Sequence, residues 1–155
     1  MNIRRSIVKT LSTFFYVGYL PFIPGTFASL AGLGIFCLVK DQAVIYLTTA
    51  FCLVISGFLV SGEAEKIFGK KDHRSIVIDE VSGMLLSLIF IPYEFKSAVI
   101  AFFVFRLMDT LKPYPANRLQ NLKGSLGVMG DDIVAAVYTN IIVQVAARCA
   151  SFTAS

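Results

Sequence analysis

The sequence predicts an all-α protein, a compact bundle of about six helices that is membrane-associated or membrane-embedded. Three observations predict it. Hydrophobic residues make up 56 % of the 155 residues and charged residues only 15 %, where a typical soluble domain carries about 25 % charge. Charge-free runs dominate the layout, and one of them, Gln42 to Gly62, holds 21 residues between Asp41 and Glu63, close to the roughly 20 needed to cross a bilayer core. The breaks between runs carry the proline, glycine and charge punctuation of helix ends. A mean hydropathy of +0.74 excludes disorder, which needs low hydrophobicity and high net charge. The length fits one domain over residues 1–155.

The elements follow in order. The first charge-free run, Thr10 to Val39, is interrupted by Pro21, Pro24 and Gly25. Helices are therefore expected over 4–19 and 26–39, with Thr26 as the N-cap of the second. Lys40 and Asp41 separate the second helix from the third, 42–68, which ends in the polar stretch Gly69 to Arg74. A fourth helix is expected over 77–91, with a short strand near Ile76–Ile78 as the β-branched alternative. Pro92 begins a hairpin turn reaching Lys96, and a fifth helix over 95–112 stops at Pro113. The sixth is expected over 131–149, preceded by Gly124-Ser125-Leu126-Gly127 as a backbone-exposing loop that either cradles a phosphate or turns the chain. The N-terminus does not read as a cleavable signal peptide, because its apolar stretch runs into Pro-Phe-Ile-Pro-Gly-Thr instead of a small-residue cleavage site.

The formal charge is +4, but the basic residues fall into three groups around Arg4/Arg5, Lys66 to Arg74 and Arg106 to Lys123. That is not the dense basic stripe with interleaved aromatics that nucleic acid requires; a membrane surface or a phosphorylated small molecule suits it better. Cys37, Cys52 and Cys149 stand singly in apolar segments, so they are expected to be small buried hydrophobes and not a disulfide or zinc framework. With Arg4 and Arg5 on the cytoplasmic side, antiparallel helices bring segments 63–80 and 106–132 to that same side.

Those two segments hold the chemistry. Five of the ten acidic residues cluster there as Asp79–Glu80, Asp109 and Asp131–Asp132, each beside an apolar helix. Taken singly, the pairs can cap or favour helix N-termini. Converging, they would repel one another unless a cation lay between them, and an oxygen-only set points to a hard ion, Mg²⁺ first, then Mn²⁺ or Ca²⁺. Arg106, Asp109 and Lys112 share one broad helical face. They read either as an i,i+3 ion pair or as two phosphate-holding cations flanking a metal ligand. Gly25 and Thr26 open a helix and offer an anion-binding N-terminus. His73, the single histidine, is a surface residue or a proton donor, and Glu63 and Glu65 are solvated helix ends.

Together, Pro24-Gly25-Thr26, Asp72 with Ile76-Val77-Ile78-Asp79-Glu80-Val81 and Gly83, Phe105-Arg106 with Asp109 and Lys112-Pro113, and Gly127-Val128-Met129 with Asp131-Asp132 resemble the phosphatidylglycerophosphatase A family. Order and spacing agree from about Pro24 to Ala136. The resemblance implies a central helix surrounded by others. It also implies Mg²⁺-dependent hydrolysis of phosphatidylglycerophosphate to phosphatidylglycerol and phosphate, in glycerophospholipid synthesis at a bacterial inner membrane, with the site facing the cytoplasm. The chain departs from the family pattern at Ala28 and Ser125, where glycine is frequent, and has Gly18 alone before the Pro-Gly-Thr.

The site expected from these residues has Asp79, Glu80, Asp109, Asp131 and Asp132 as ligands of one or two Mg²⁺ ions, with attack by water or by a carboxylate left open. Arg106, Lys112, Gly25 and Thr26 would bind the substrate phosphate. Two other classes fit less well. A soluble helical hydrolase of a nucleotide or other phosphate ester would use the same metal site. A small transporter would place its carboxylates near the middle of the apolar runs, and here they lie at the ends.

Overall fold

A computed structural model describes residues 3–91 and 95–153, with side chains described to residue 149. Among the described residues every regular element is helical: α1 Ile3–Ser12, α2 Pro24–Val39, α3 Ala43–Phe68, α4 Ile78–Ser87, α5 Phe95–Leu111, the single turn α6 Ala116–Leu119, and α7 Ser125–Thr153. The chain is thus all-α, as expected, and no strand forms at Ile76–Ile78.

α4 is the centre. It packs against α2, α3, α5 and α7, and Ile78, Val81, Met84 and Leu85 are all 1 % exposed or less. Its close neighbours need a small residue: a Cβ on Gly83 would lie 2.7 Å from Cζ of Phe105. Side chains from other helices bond carbonyls at and just beyond the C-terminal end of α4. Tyr46 Oη donates to Leu85 O, and Asn140 Nδ2 donates to Ser87 O at 3.0 Å and Ile89 O at 2.7 Å.

The structure corrects several boundaries. The first helix stops at Ser12 instead of residue 19. Thr13 Oγ1 donates back to Lys9 O at 2.7 Å and accepts the Tyr16 N–H at 3.2 Å, so a side chain supplants the next helical bonds. Phe14, Phe15 and Tyr16 then take positive φ, and a 3₁₀ turn follows at Val17–Tyr19. α2 begins at Pro24, whose fixed φ suits the first helical position; Ile23 is its N-cap residue and Thr26 caps nothing. α7 begins at Ser125, six residues before expectation, so Gly124-Ser125-Leu126-Gly127 is a helix start and not a loop. Gly127 is needed there because a Cβ would run into the Leu122 carbonyl. The hairpin expected at Pro92–Lys96 includes residues 92–94, which lie outside the described residues.

α3 and the Ser125–Cys149 part of α7 are long and apolar enough to cross a membrane. In α3 only 22 % of the most apolar 18-residue window is buried within the molecule, so most of its apolar surface faces outward, at Leu47, Phe51 and Leu59 for example. Cys37, Cys52 and Cys149 share that outward location and are exposed, contrary to the expectation that they are buried. An apolar helix with an apolar outer face leaves room for cysteine on either side.

Candidate functional site

One end of the bundle carries a polar cavity of about 340 Å³. The N-termini of α2 and α4, the C-terminal end of α5, the second turn of α7 and the loop before α4 all open onto it. Antiparallel packing therefore brings the two polar segments together. All nine residues singled out as site candidates line this cavity: Gly25, Thr26, Asp79, Glu80, Arg106, Asp109, Lys112, Asp131 and Asp132.

Within it, carboxylate oxygens of Asp79, Glu80 and Asp132 lie within 4.8 Å of one another. Asp79 and Asp132 are 6 % and 3 % exposed. Asp79 Oδ1, Glu80 Oε2, Asp131 Oδ1 and Asp132 Oδ2 are buried without a hydrogen-bond partner. Buried acceptors are seldom left so, because each costs about 1–3 kcal/mol. Three of these oxygens belong to the converging Asp79, Glu80 and Asp132, an all-oxygen donor set that fits a hard divalent cation, which would satisfy them and cancel their repulsion.

Asp79 and Glu80 stand in the first turn of α4, where the helix dipole favours negative charge. Burial nevertheless outweighs the dipole. It pushes the Asp79 carboxyl well above its ordinary range, and the charges of Glu80 and Asp132 push the same way. Burial likewise raises Glu80 to about 7, with Asp109 adding to the rise and Arg106 opposing it. A cation between them would favour the ionised forms and oppose both shifts.

The two remaining carboxylates are tied to cations. Arg106 Nη1 meets Asp109 Oδ2 at 2.8 Å and also reaches Ser29 Oγ at 3.4 Å. The i,i+3 ion pair on α5 is therefore formed, while Arg106 still faces the cavity. Lys112 Nζ donates to Asp131 Oδ2, joining the α5 end to α7. Burial would lower the Lys112 ammonium, but its bond and attraction to Asp131 more than offset this and hold it above its usual range. Gly25 lets α2 come this close: a Cβ there would collide with Glu80 Oε1 and lie 3.3 Å from Arg106 Nη2. Thr26 lines the rim.

The loop residues are less ordinary than their composition indicates. Glu65 is not a solvated helix end, because its carboxylate accepts the Asp72 N–H at 2.7 Å and the Gly124 N–H at 3.0 Å. It thereby ties the α3–α4 loop to the start of α7. Glu63 pairs with Arg4 at 2.9 Å. His73 stacks on Phe68 with ring centroids 4.6 Å apart, and its Nδ1 accepts the Ser75 N–H; it shapes the loop and does not line the cavity. Arg74 and Ile23 do line it, and Ser29 supports Arg106 from α2. Sequence reasoning missed these three. Arg74 left a trace as the end of the second basic group, and Ser29 lies four residues after Gly25, whose carbonyl its hydroxyl reaches at 3.0 Å.

Comparison with known proteins shows the family. The sequence model of the phosphatidylglycerophosphatase A family matches residues 10–147. A Haemophilus influenzae protein named phosphatidylglycerophosphatase A is 36 % identical over 141 residues, 88 % of this chain and 86 % of that protein. The Escherichia coli K12 protein of the same name is 33 % identical over 130 residues, 82 % and 76 % of the two chains. A Bacteroides thetaiotaomicron protein, named provisionally as a phosphatidylinositol-3-phosphatase, is 31 % identical over 145 residues, covering 88 % of this chain and 91 % of that one. No solved structure matches the chain. The match spans the whole cavity-bearing region, and the chain belongs to the phosphatidylglycerophosphatase A family.

Proposed function

We propose that this chain is a Mg²⁺-dependent lipid phosphatase that converts phosphatidylglycerophosphate to phosphatidylglycerol and phosphate, at the cytoplasmic face of a bacterial inner membrane. The observation that carries the reading is the cluster of orphaned buried carboxylate oxygens beside Arg106 and Lys112, set at the polar end of a bundle whose long helices have apolar outer faces. Family membership supports a phosphate monoester of a phospholipid as substrate. Basic residues at the same end, Arg4, Arg5 and Lys66, favour the cytoplasmic side.

Asp79, Glu80 and Asp132 would hold Mg²⁺, with Asp131 Oδ1 open to the same space. The ion would neutralise charge on the phosphoryl oxygens and favour attack by water in line with the departing glycerol oxygen. Arg106 presents a planar fork to the equatorial oxygens, held in aim by Asp109 and Ser29. Lys112 adds a point charge, fixed by Asp131. Asp109 and Asp131 act in this reading chiefly by orienting the two cations. The narrow approach of α2 brings the Gly25 N–H to the rim, at a helix N-terminus where an anion is favoured; the Thr26 and Phe27 N–H groups already bond Ile23 O. In the net reaction the ester P–O bond breaks, water supplies the new P–O bond, and the glycerol oxygen takes up a proton.

The test is phosphate release by the purified full chain in detergent, with Mg²⁺ and with EDTA, alongside Asp132→Asn and Asp109→Asn. Release that needs Mg²⁺, is lost in Asp132→Asn and falls sharply in Asp109→Asn is expected. Phosphatidylinositol 3-phosphate serves as the competing lipid, chosen from the Bacteroides relative's name. Faster turnover of that lipid would overturn the assigned headgroup. EDTA-insensitive turnover would overturn the metal site.

A further inference from the structure

The segment between α1 and α2 exposes Phe15, Tyr16, Tyr19, Leu20, Phe22 and Ile23, each at least 41 % exposed and Phe22 at 93 %. Chain collapse does not explain this surface, since six large apolar side chains in nine residues would ordinarily turn inward. The backbone holds them out. Phe15, Tyr16 and Phe22 have φ of 52°, 71° and 73°, in a region that is unfavourable for a non-glycine residue and persists only where the surroundings impose it. Here they do. Phe15 N donates to Thr10 O at 2.8 Å and Gly18 N to Thr13 O at 3.0 Å. A Cβ on Gly18 would collide with the Ser75 carbonyl, so the segment is pressed on the loop that leads into Asp79 and Glu80. Val77 N also donates to Ser12 O at 2.9 Å.

Two further features say what covers this surface. Ile23 continues into Phe27 and Leu30, also exposed, at the i, i+4, i+7 spacing of one outer face of apolar α2. On the other side, α1 exposes Ile3 and Ile7 together with Arg4 and Arg5, the basic-and-apolar pattern of a helix lying at an anionic lipid surface. Aromatic residues belong at that depth, between headgroups and acyl chains. Ile23 also lines the polar cavity.

We propose that residues 15–23 are a rigid interfacial foot that enters the headgroup–acyl boundary of a phospholipid bilayer, so that a lipid phosphate reaches the cavity past Ile23 without leaving the bilayer. The foot stands on geometry alone; its substrate clause rests on the lipid-phosphatase reading.

The chain contains no tryptophan, so Phe22→Trp gives one local fluorophore. The full chain is reconstituted into vesicles of phosphatidylglycerol and phosphatidylethanolamine carrying bromine near the top of the acyl chains. Strong quenching by the brominated lipid and weak quenching by aqueous acrylamide is expected. Acrylamide quenching alone overturns the foot, and shielding from both quenchers, the mark of a second protein copy, also overturns it. Phe15→Asp with Phe22→Asp tests the substrate clause. Hydrolysis of bilayer-embedded substrate relative to a dispersed short-chain analogue should fall by about tenfold or more, because a carboxylate resists that depth. An unchanged ratio overturns the clause. If the wild-type chain hydrolyses neither lipid, the proposed function fails and the quenching result still decides the foot.

Discussion

Stability of the metal-free protein should fall as pH rises through neutrality, and a divalent cation should reverse that. Glu80 has an ordinary carboxyl value of 4.5 and stands at about 7 in the folded chain. Between those values the folded state holds a proton that the unfolded state has lost, so each rise in pH favours unfolding. At 1.36 kcal/mol per unit, integrating from about pH 5.5 to about pH 7.5 gives about 2 kcal/mol of lost stability from Glu80 alone. Asp79 is raised as well and adds to the loss. Lys112 is also raised, but from 10.5, so its contribution is complete across this window and flat. For a chain of this length about 2 kcal/mol corresponds to a drop of about 5 °C in the unfolding midpoint. The assay is thermal unfolding in mild detergent with EDTA across that pH range, repeated with Mg²⁺. Binding to the folded state releases the protons and stabilises it by mass action, so the increment from Mg²⁺ should be larger at the upper pH. Glu80→Gln should flatten the EDTA curve. A midpoint that stays level or rises with pH in EDTA would refute the account of Glu80, and an equal Mg²⁺ increment at both ends would refute its place in the metal site.

Two other substitutions probe what supports the site. Lys112→Met strips the partner from Asp131, which is 4 % exposed, and should cost about 2–4 kcal/mol in chemical denaturation; adding Asp131→Leu should recover part of it, and no recovery would contradict the pairing account. Asn140→Leu leaves the Ser87 and Ile89 carbonyls without their donor. It should cost about 2 kcal/mol without changing the metal dependence of phosphate release, and a shifted metal requirement would show that the C-terminal end of α4 is coupled to its N-terminal site.

Much of the site was legible because its residues are costly where they stand. Asp79, Glu80, Asp109, Asp131 and Asp132 interrupt apolar sequence, and carboxylates in that setting need a reason. Their grouping at one end followed from the antiparallel order of the helices. The third helix was legible to within a residue, since Gly69 takes the left-handed conformation that ends it. The start of α7 was not, because Gly-Ser-Leu-Gly reads locally as a turn. Its glycine serves close packing on the Leu122 carbonyl instead, in the connection between α6 and α7. The end of α1 was hidden for a similar reason: a threonine side chain, not a proline or glycine, closes it.

The all-helical class and the acidic and basic residues that gather at one end could be read along the chain, because long charge-free runs and the cost of buried charge act there. How the carboxylates divide depends on the packing of the helices. Asp79, Glu80 and Asp132 converge with unsatisfied oxygens, while Asp109 and Asp131 each lend an oxygen to a cation. That division depends on distances of a few ångströms between α4, α5 and α7. They are set by how closely Gly25 and Gly83 let neighbouring groups approach α4, and no spacing along a single helix encodes them.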